Sequence, residues 1–134
     1  MRWLLPMLAV ACGHAVAPRP IDPPPPVERA GLTVTLEWDV PVDLDLYVTD
    51  PAWATVYYAR PDGHLEADAR CIGDAPGQRW ERAHWTRPPS GRYRIGVDFP
   101  EKCGAAPDQV PYRILVDLDG AHHQSAGRSR AGAR

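Results

Sequence analysis

The sequence predicts an all-β protein, an antiparallel and jelly-roll-like β-sandwich. Apolar and polar residues alternate with a period of two in several short segments, and turn-forming dipeptides separate those segments. No stretch sustains the 3.6-residue period of an amphipathic helix. The 16 prolines and 11 glycines point the same way, because both residues interrupt helices and favour turns.

The first strand is LTVTLEW, in which Leu32, Val34, Leu36 and Trp38 share one face and Thr33, Thr35 and Glu37 the other. DLDLYVTD follows, with Leu44, Leu46 and Val48 opposed to Asp43, Asp45 and Tyr47. ATVYYAR (Ala54 to Arg60) and RWERAHW (Arg79 to Trp85) alternate less cleanly. In RYRIGVDF the inward set is Tyr93, Ile95, Val97 and Phe99, and in YRILVDL it is Tyr112, Ile114, Val116 and Leu118. Asp50-Pro51, Pro61-Asp62-Gly63, Gly73-Asp74, Pro76-Gly77, Pro88-Pro89-Ser90-Gly91 and Asp119-Gly120 mark the turns. Ala121 to Ala126 can add a short edge strand, and the small, polar, basic residues from 127 to 134 read as a disordered tail. The sandwich thus spans residues 31–126.

The chain opens MRWLLPMLAVACGH, one arginine followed by an apolar run from Trp3 to Ala11. That run is far short of the roughly 20 residues a membrane-spanning helix needs, and it suits the core of a signal peptide over residues 1–11. Cys12, preceded by small residues, resembles the lipobox of bacterial lipoproteins, in which the cysteine is acylated and becomes the first mature residue. An ordinary secretory signal cut nearby is the competing reading. Residues 12–30 include six prolines between Pro18 and Pro26, a composition that favours extended polyproline and reads as a stiff tether.

An apolar fraction of 44% and a charged fraction of 24% belong to an ordinary globular chain. The net charge of −2 conceals a separation, since all 17 acidic residues lie between Asp22 and Asp119 while three arginines sit in the tail. A body of this sign lacks the basic stripe that nucleic-acid binding requires. With Cys12 carrying lipid, Cys71 and Cys103 remain as one pair for a disulfide in an oxidising compartment. Two separate buried thiols, or a pair of metal ligands, are the alternatives, although neither cysteine belongs to a CxxC.

Side chains two apart on a strand leave from the same face, so Asp43 and Asp45 can approach one ion lying between them. Calcium takes about six to eight oxygens, so more must come from elsewhere. Asp39, Asp50, Asp68 and Glu81 are the candidates. The plain alternative is that alternating aspartates form the solvated face of a strand. There is no DxDxDG loop of the EF-hand kind.

Trp38 with Asp43-Leu44-Asp45-Leu46, the Leu65-x-x-Asp68 element, Glu81 ahead of Trp85, and Ser90-Gly91-Arg92-Tyr93 together resemble the YfaP-type family of secreted bacterial domains of unknown function. More distantly, they resemble the pre-peptidase C-terminal domains of secreted proteases. The likeness covers Leu32 to about Gly120. It implies a jelly-roll-like sandwich, generally non-catalytic, with a cation near the aspartate strand in some relatives, and so implicates Asp43, Asp45, Asp68 and Glu81.

Other chemistry is poorly served. There is no GxSxG, and the serines are confined to a proline-rich turn and the tail. His122 and His123 are adjacent and would point to opposite faces of a strand, which does not suit a shared zinc. Trp53, Tyr57, Tyr58, Trp80 and Trp85 fall outside the cleanest alternations. They either fill the interior or form an exposed platform that stacks on sugars. The sequence therefore predicts a lipid-anchored protein of the bacterial cell envelope, in the periplasm or on the outer membrane. Its expected role is non-catalytic binding or accessory work towards an envelope protein or polysaccharide, with calcium as the expected ion.

Overall fold

A computed structural model describes residues 23–27, 29–71, 78–105 and 107–132; the expected signal segment and Cys12 lie outside them. The described chain is all-β: β1 (Leu32–Trp38), β2 (Asp43–Thr49), β3 (Thr55–Val56), β4 (Leu65–Ala67), β5 (Trp80–Trp85), β6 (Arg94–Glu101), β7 (Gln109–Leu118) and β8 (Ala121–Arg130). They form a five-stranded sheet in the order β4-β5-β1-β7-β8 and a three-stranded sheet in the order β3-β2-β6. Every pairing is antiparallel, and the two sheets pack face to face as the predicted sandwich.

The alternation in β1 has the expected consequence. Leu32, Val34, Leu36 and Trp38 point into the core, where they meet Leu44, Leu46 and Val48 of β2 and Phe99 of β6. The Trp38 indole N–H donates to the Val42 carbonyl at 3.0 Å, which satisfies the ring's one polar atom. The other face of β1 is buried as well. Thr33 Oγ1 lies 2.9 Å from His84 Nδ1, and Thr35 Oγ1 accepts from Arg82 Nε at 2.9 Å. The Pro25 carbonyl accepts a further hydrogen bond from Arg82 Nη2 at 2.7 Å. The proline segment 23–27 thus lies against the outside of the larger sheet instead of standing clear of it.

Two residues assigned inward by alternation face water. Ile95 is 37% exposed and Leu118 46%. The reason is the mismatch of sheet widths: β6 is the rim of the narrow sheet and leaves the end of β7 and most of β8 uncovered. The disordered tail expected from residue 127 is also corrected, because β8 continues to Arg130 in unbroken register with β7. Gly127 makes room for that pairing. The Tyr112 ring lies across it, and a Cβ at this position would stand 2.5 Å from Tyr112 Cζ.

Turn geometry holds the ends of the small sheet. Gly91, at φ +139°, packs on Pro51, where a Cβ would come within 2.8 Å of the proline Cβ. The Asp50-Pro51 and Ser90-Gly91 elements, far apart in sequence, therefore abut. The Asp50 carboxylate accepts the N–H groups of Ala52 and Ala54, both at 2.9 Å, and so holds the turn in which Trp53 adopts a left-handed φ of +68°.

Candidate metal centre and aromatic face

Three carboxylates converge beside the edge of β2, against the loop after β4. One oxygen each from Asp43, Asp45 and Glu81 lies within 4.8 Å of the other two. The strand period brings Asp43 and Asp45 to one face of β2. Glu81 arrives from the opposite sheet. It is paired across β1 with Leu36 and therefore projects inward.

Glu81 owes its placement to a gap in the small sheet. β3 pairs with β2 only at Val48 and Thr49, so among the described residues the rest of that edge lacks a strand. The Glu81 carboxylate substitutes for one: Oε2 accepts the Leu46 N–H at 2.7 Å and Oε1 the Ala69 N–H at 3.0 Å. Glu81 is 1% exposed. Burial pushes its carboxyl up to about 9 despite the two backbone donors, and the charges of Asp45 and Asp68 add to the rise.

Asp45 is 6% exposed, and its carboxylate takes part in no side-chain hydrogen bond among the described residues. Burial, then the neighbouring Asp43, Asp68 and Asp98, push it up to about 7. Asp43 is pushed up to about 6 by burial and by Asp68 and Glu101, against a lowering pull from Arg70. Its Oδ1 is buried without a hydrogen-bond partner among the described residues. A buried carboxylate oxygen left unpaired costs folding free energy unless a proton or a cation satisfies it.

The other sequence candidates divide. Asp68 lines the same cavity of about 380 Å3 but stands outside the cluster of three, and its Oδ2 accepts from Arg70 Nε at 2.7 Å. Asp39 pairs with Arg113, and Asp50 caps its own turn; neither belongs to the cavity lining. Glu101, opposite Asp43 on β6, joins the cavity without having been singled out. Its signal lay in the pairing of DFPE with DLDLY, which no single segment reveals. Cys71 also lines the cavity and is bonded to Cys103 with a Cα–Cα distance of 5.3 Å, so the separate-thiol and metal-pair alternatives do not apply.

The aromatic candidates divide as well. Tyr57 stacks on Tyr47 with centroids 5.1 Å apart, and Tyr58 meets Tyr57 edge-on at 5.4 Å. Tyr58 is 46% exposed at the tip of a tight turn, which the reciprocal Tyr57 and Arg60 backbone hydrogen bonds close. Trp53, 70% exposed, carries the Arg94 guanidinium over its ring at 4.0 Å. Trp85 is corrected to a core residue, stacked on His64 at 4.8 Å, and Trp80 lies on the other sheet beneath Arg82. Tyr47, absent from the sequence-based set, joins the two groups because its outward position on β2 adjoins Asp45.

Comparison with known proteins finds no matching family model, no matching curated relative and no matching solved structure.

Proposed function

We propose that this chain is a non-catalytic binding or accessory domain of the bacterial cell envelope, carried on lipid at Cys12, and that Asp43, Asp45 and Glu81 hold a calcium ion that stabilises the sandwich. The observation that carries the ion is Asp43 Oδ1, a buried carboxylate oxygen without a hydrogen-bond partner among the described residues, set beside the largely buried Asp45 and Glu81. An all-oxygen donor set suits a hard cation such as calcium, whereas zinc favours nitrogen and sulfur. Asp68 and Glu101 line the same cavity and add negative charge around the ion. The envelope placement rests on the apolar N-terminal run ending in Cys12, and it agrees with a Cys71–Cys103 disulfide, which forms in oxidising compartments.

Thermal unfolding with and without calcium tests the ion. At calcium about 100-fold above the dissociation constant, stabilisation is about 2.7 kcal/mol, which raises the melting temperature by about 10 °C or more. Asp45→Asn is expected to melt higher than the unaltered protein in chelator, since it removes a like charge, and to show no rise with calcium. An unaltered melting temperature on adding calcium to the unsubstituted protein rejects the reading.

A second reading, a carbohydrate or cell-wall binding module, draws support from the exposure of Trp53 and Tyr58 on one face of the small sheet. Retention of the protein on polysaccharide tests it.

A further inference from the structure

The cation pocket and the aromatic face share a wall. Tyr58 lines the same cavity of about 380 Å3 as Asp43, Asp45 and Asp68, and its exposed ring stands at that cavity's edge. We infer that the two act as one site: the ion bound by Asp43, Asp45 and Glu81 completes its coordination with hydroxyl oxygens of a neutral saccharide, whose apolar ring face rests on Tyr58. This inference rests on the calcium reading above.

Two features favour such a ligand over others. The first is coordination number. Glu81 directs both oxygens at backbone donors, and Asp68 is engaged by Arg70, so the protein's ligand set is small against the about six to eight oxygens calcium accepts. Open positions therefore face the cavity, where vicinal hydroxyls can replace water as neutral oxygen donors. The second is charge. Asp43, Asp45, Asp68, Glu81 and Glu101 surround the ion, and among the described residues Arg70 is the one cation in the cavity lining. Even with a divalent ion in place the surroundings stay negative, which opposes a phosphate or a uronic acid and leaves a neutral polyol unopposed.

The aromatic geometry fits that role. Tyr58 is held by the closed turn and by its edge contact with Tyr57, which itself stacks on Tyr47, so the ring is presented with little freedom to lose on binding. A planar ring beside a polar anchor is the usual arrangement by which an apolar face and a set of hydroxyls are read together.

The test uses the purified full chain and a panel of immobilised neutral polysaccharides (cellulose, xylan, mannan, chitin and β-glucan), with polygalacturonate and a phosphate-bearing polymer as anionic comparators. Each is measured in calcium and in chelator, with melting temperature recorded in parallel. The expected result is retention on at least one neutral polymer in calcium, loss of retention in chelator, and about a tenfold weakening in Tyr58→Ala while its calcium-induced rise in melting temperature is kept. A calcium-induced rise without retention on any neutral polymer overturns this inference and leaves the ion in place. Retention that survives chelator, is confined to the anionic polymers, or is unchanged in Tyr58→Ala also overturns it. The absence of any calcium effect on melting removes both the ion and the inference built on it.

Discussion

The Glu81 carboxylate, rooted in the five-stranded sheet, accepts the Leu46 N–H of the three-stranded sheet at 2.7 Å. One side chain thus joins the two layers, completes an edge that β3 leaves bare, and delivers an acid to the cluster of Asp43 and Asp45. Removing it as Glu81→Ala strands two buried donors, on Leu46 and Ala69, at a cost of about 2–4 kcal/mol. Glu81→Gln keeps an acceptor for one of them and is expected to lose about 1 kcal/mol in chelator. Urea unfolding of the two variants checks the order, and equal losses would mean that the hydrogen bonds do not carry the effect.

The same cluster sets a pH dependence whose sign is unusual for acids. Asp43, Asp45 and Glu81 sit at about 6, 7 and 9, all above their ordinary values, so between about pH 4 and 9 the folded state holds more protons than the unfolded one. Stability without metal therefore falls as pH rises through that window and levels off above it. Asp68, Asp98, Glu101 and Arg70 surround the cluster and shape the curve. Calcium needs the deprotonated carboxylates, so saturating ion is expected to flatten or reverse the decline. Melting curves from pH 5 to pH 9, with chelator and with calcium, measure both slopes.

Reduction of the Cys71–Cys103 bridge is expected to act at a distance from the core. The bridge closes a separation of 32 residues, for which the chain-entropy model gives roughly 3–4 kcal/mol. It also ties the loop carrying Asp68 and Arg70 to the segment after Glu101, two walls of one cavity. A Cys71→Ser, Cys103→Ser variant should lose that stability in chelator and in addition bind calcium more weakly, by about tenfold. Isothermal titration on the variant, kept below its melting temperature, separates the second effect from the first.

What the sequence made legible follows from the range over which each signal acts. A two-residue period is local, so Leu32 to Trp38 and Leu44 to Val48 could be placed on the core side from spacing alone, and both sets are buried. Ile95 and Leu118 obey the same period and are exposed, because width and overlap of sheets are global properties that no single strand encodes. The Ser-, Gly- and Arg-rich residues after Ala126 resemble a tail, yet they pair with Gln109 to Tyr112 because β7 offers them a full edge. At the site, Asp43 and Asp45 were visible through their spacing. Glu101 and Tyr47 were not, since their membership depends on the register of β2 against β6 and on the turn that brings Tyr57 alongside.

Gly91→Ala tests the contact between Asp50-Pro51 and Ser90-Gly91. The substitution meets a φ of +139° and a proline carbon at 2.8 Å, so it combines backbone strain with a clash. A loss of about 2 kcal/mol is expected. Because Asp50 begins the turn that carries Trp53, the variant should also alter tryptophan fluorescence before global unfolding. Gly63→Ala shares the left-handed φ but finds open space, and is expected to cost about 1 kcal/mol with no change at Trp53.

The proline segment bears on stability through Arg82. Arg82 is 6% exposed, its guanidinium donates to Thr35 Oγ1 and to the Pro25 carbonyl, and burial lowers its pKa. Residues 23–27 therefore serve as a cover over a charge that the sheet alone would leave to solvent. Cutting them away returns water to Arg82, which offsets part of the lost hydrogen bond, so a chain beginning at Ala30 should be less stable than one beginning at Asp22 by only about 1–2 kcal/mol. The sharper measurement is the coupling. In the longer chain Arg82→Ala leaves the Pro25 carbonyl and the Thr35 hydroxyl without their donor, whereas in the shorter chain the Pro25 term is already gone. The cost of Arg82→Ala should thus be smaller in the shorter chain by about 1 kcal/mol, read by urea unfolding of all four proteins. Equal costs in both backgrounds would show that the segment does not rest on the sheet in solution.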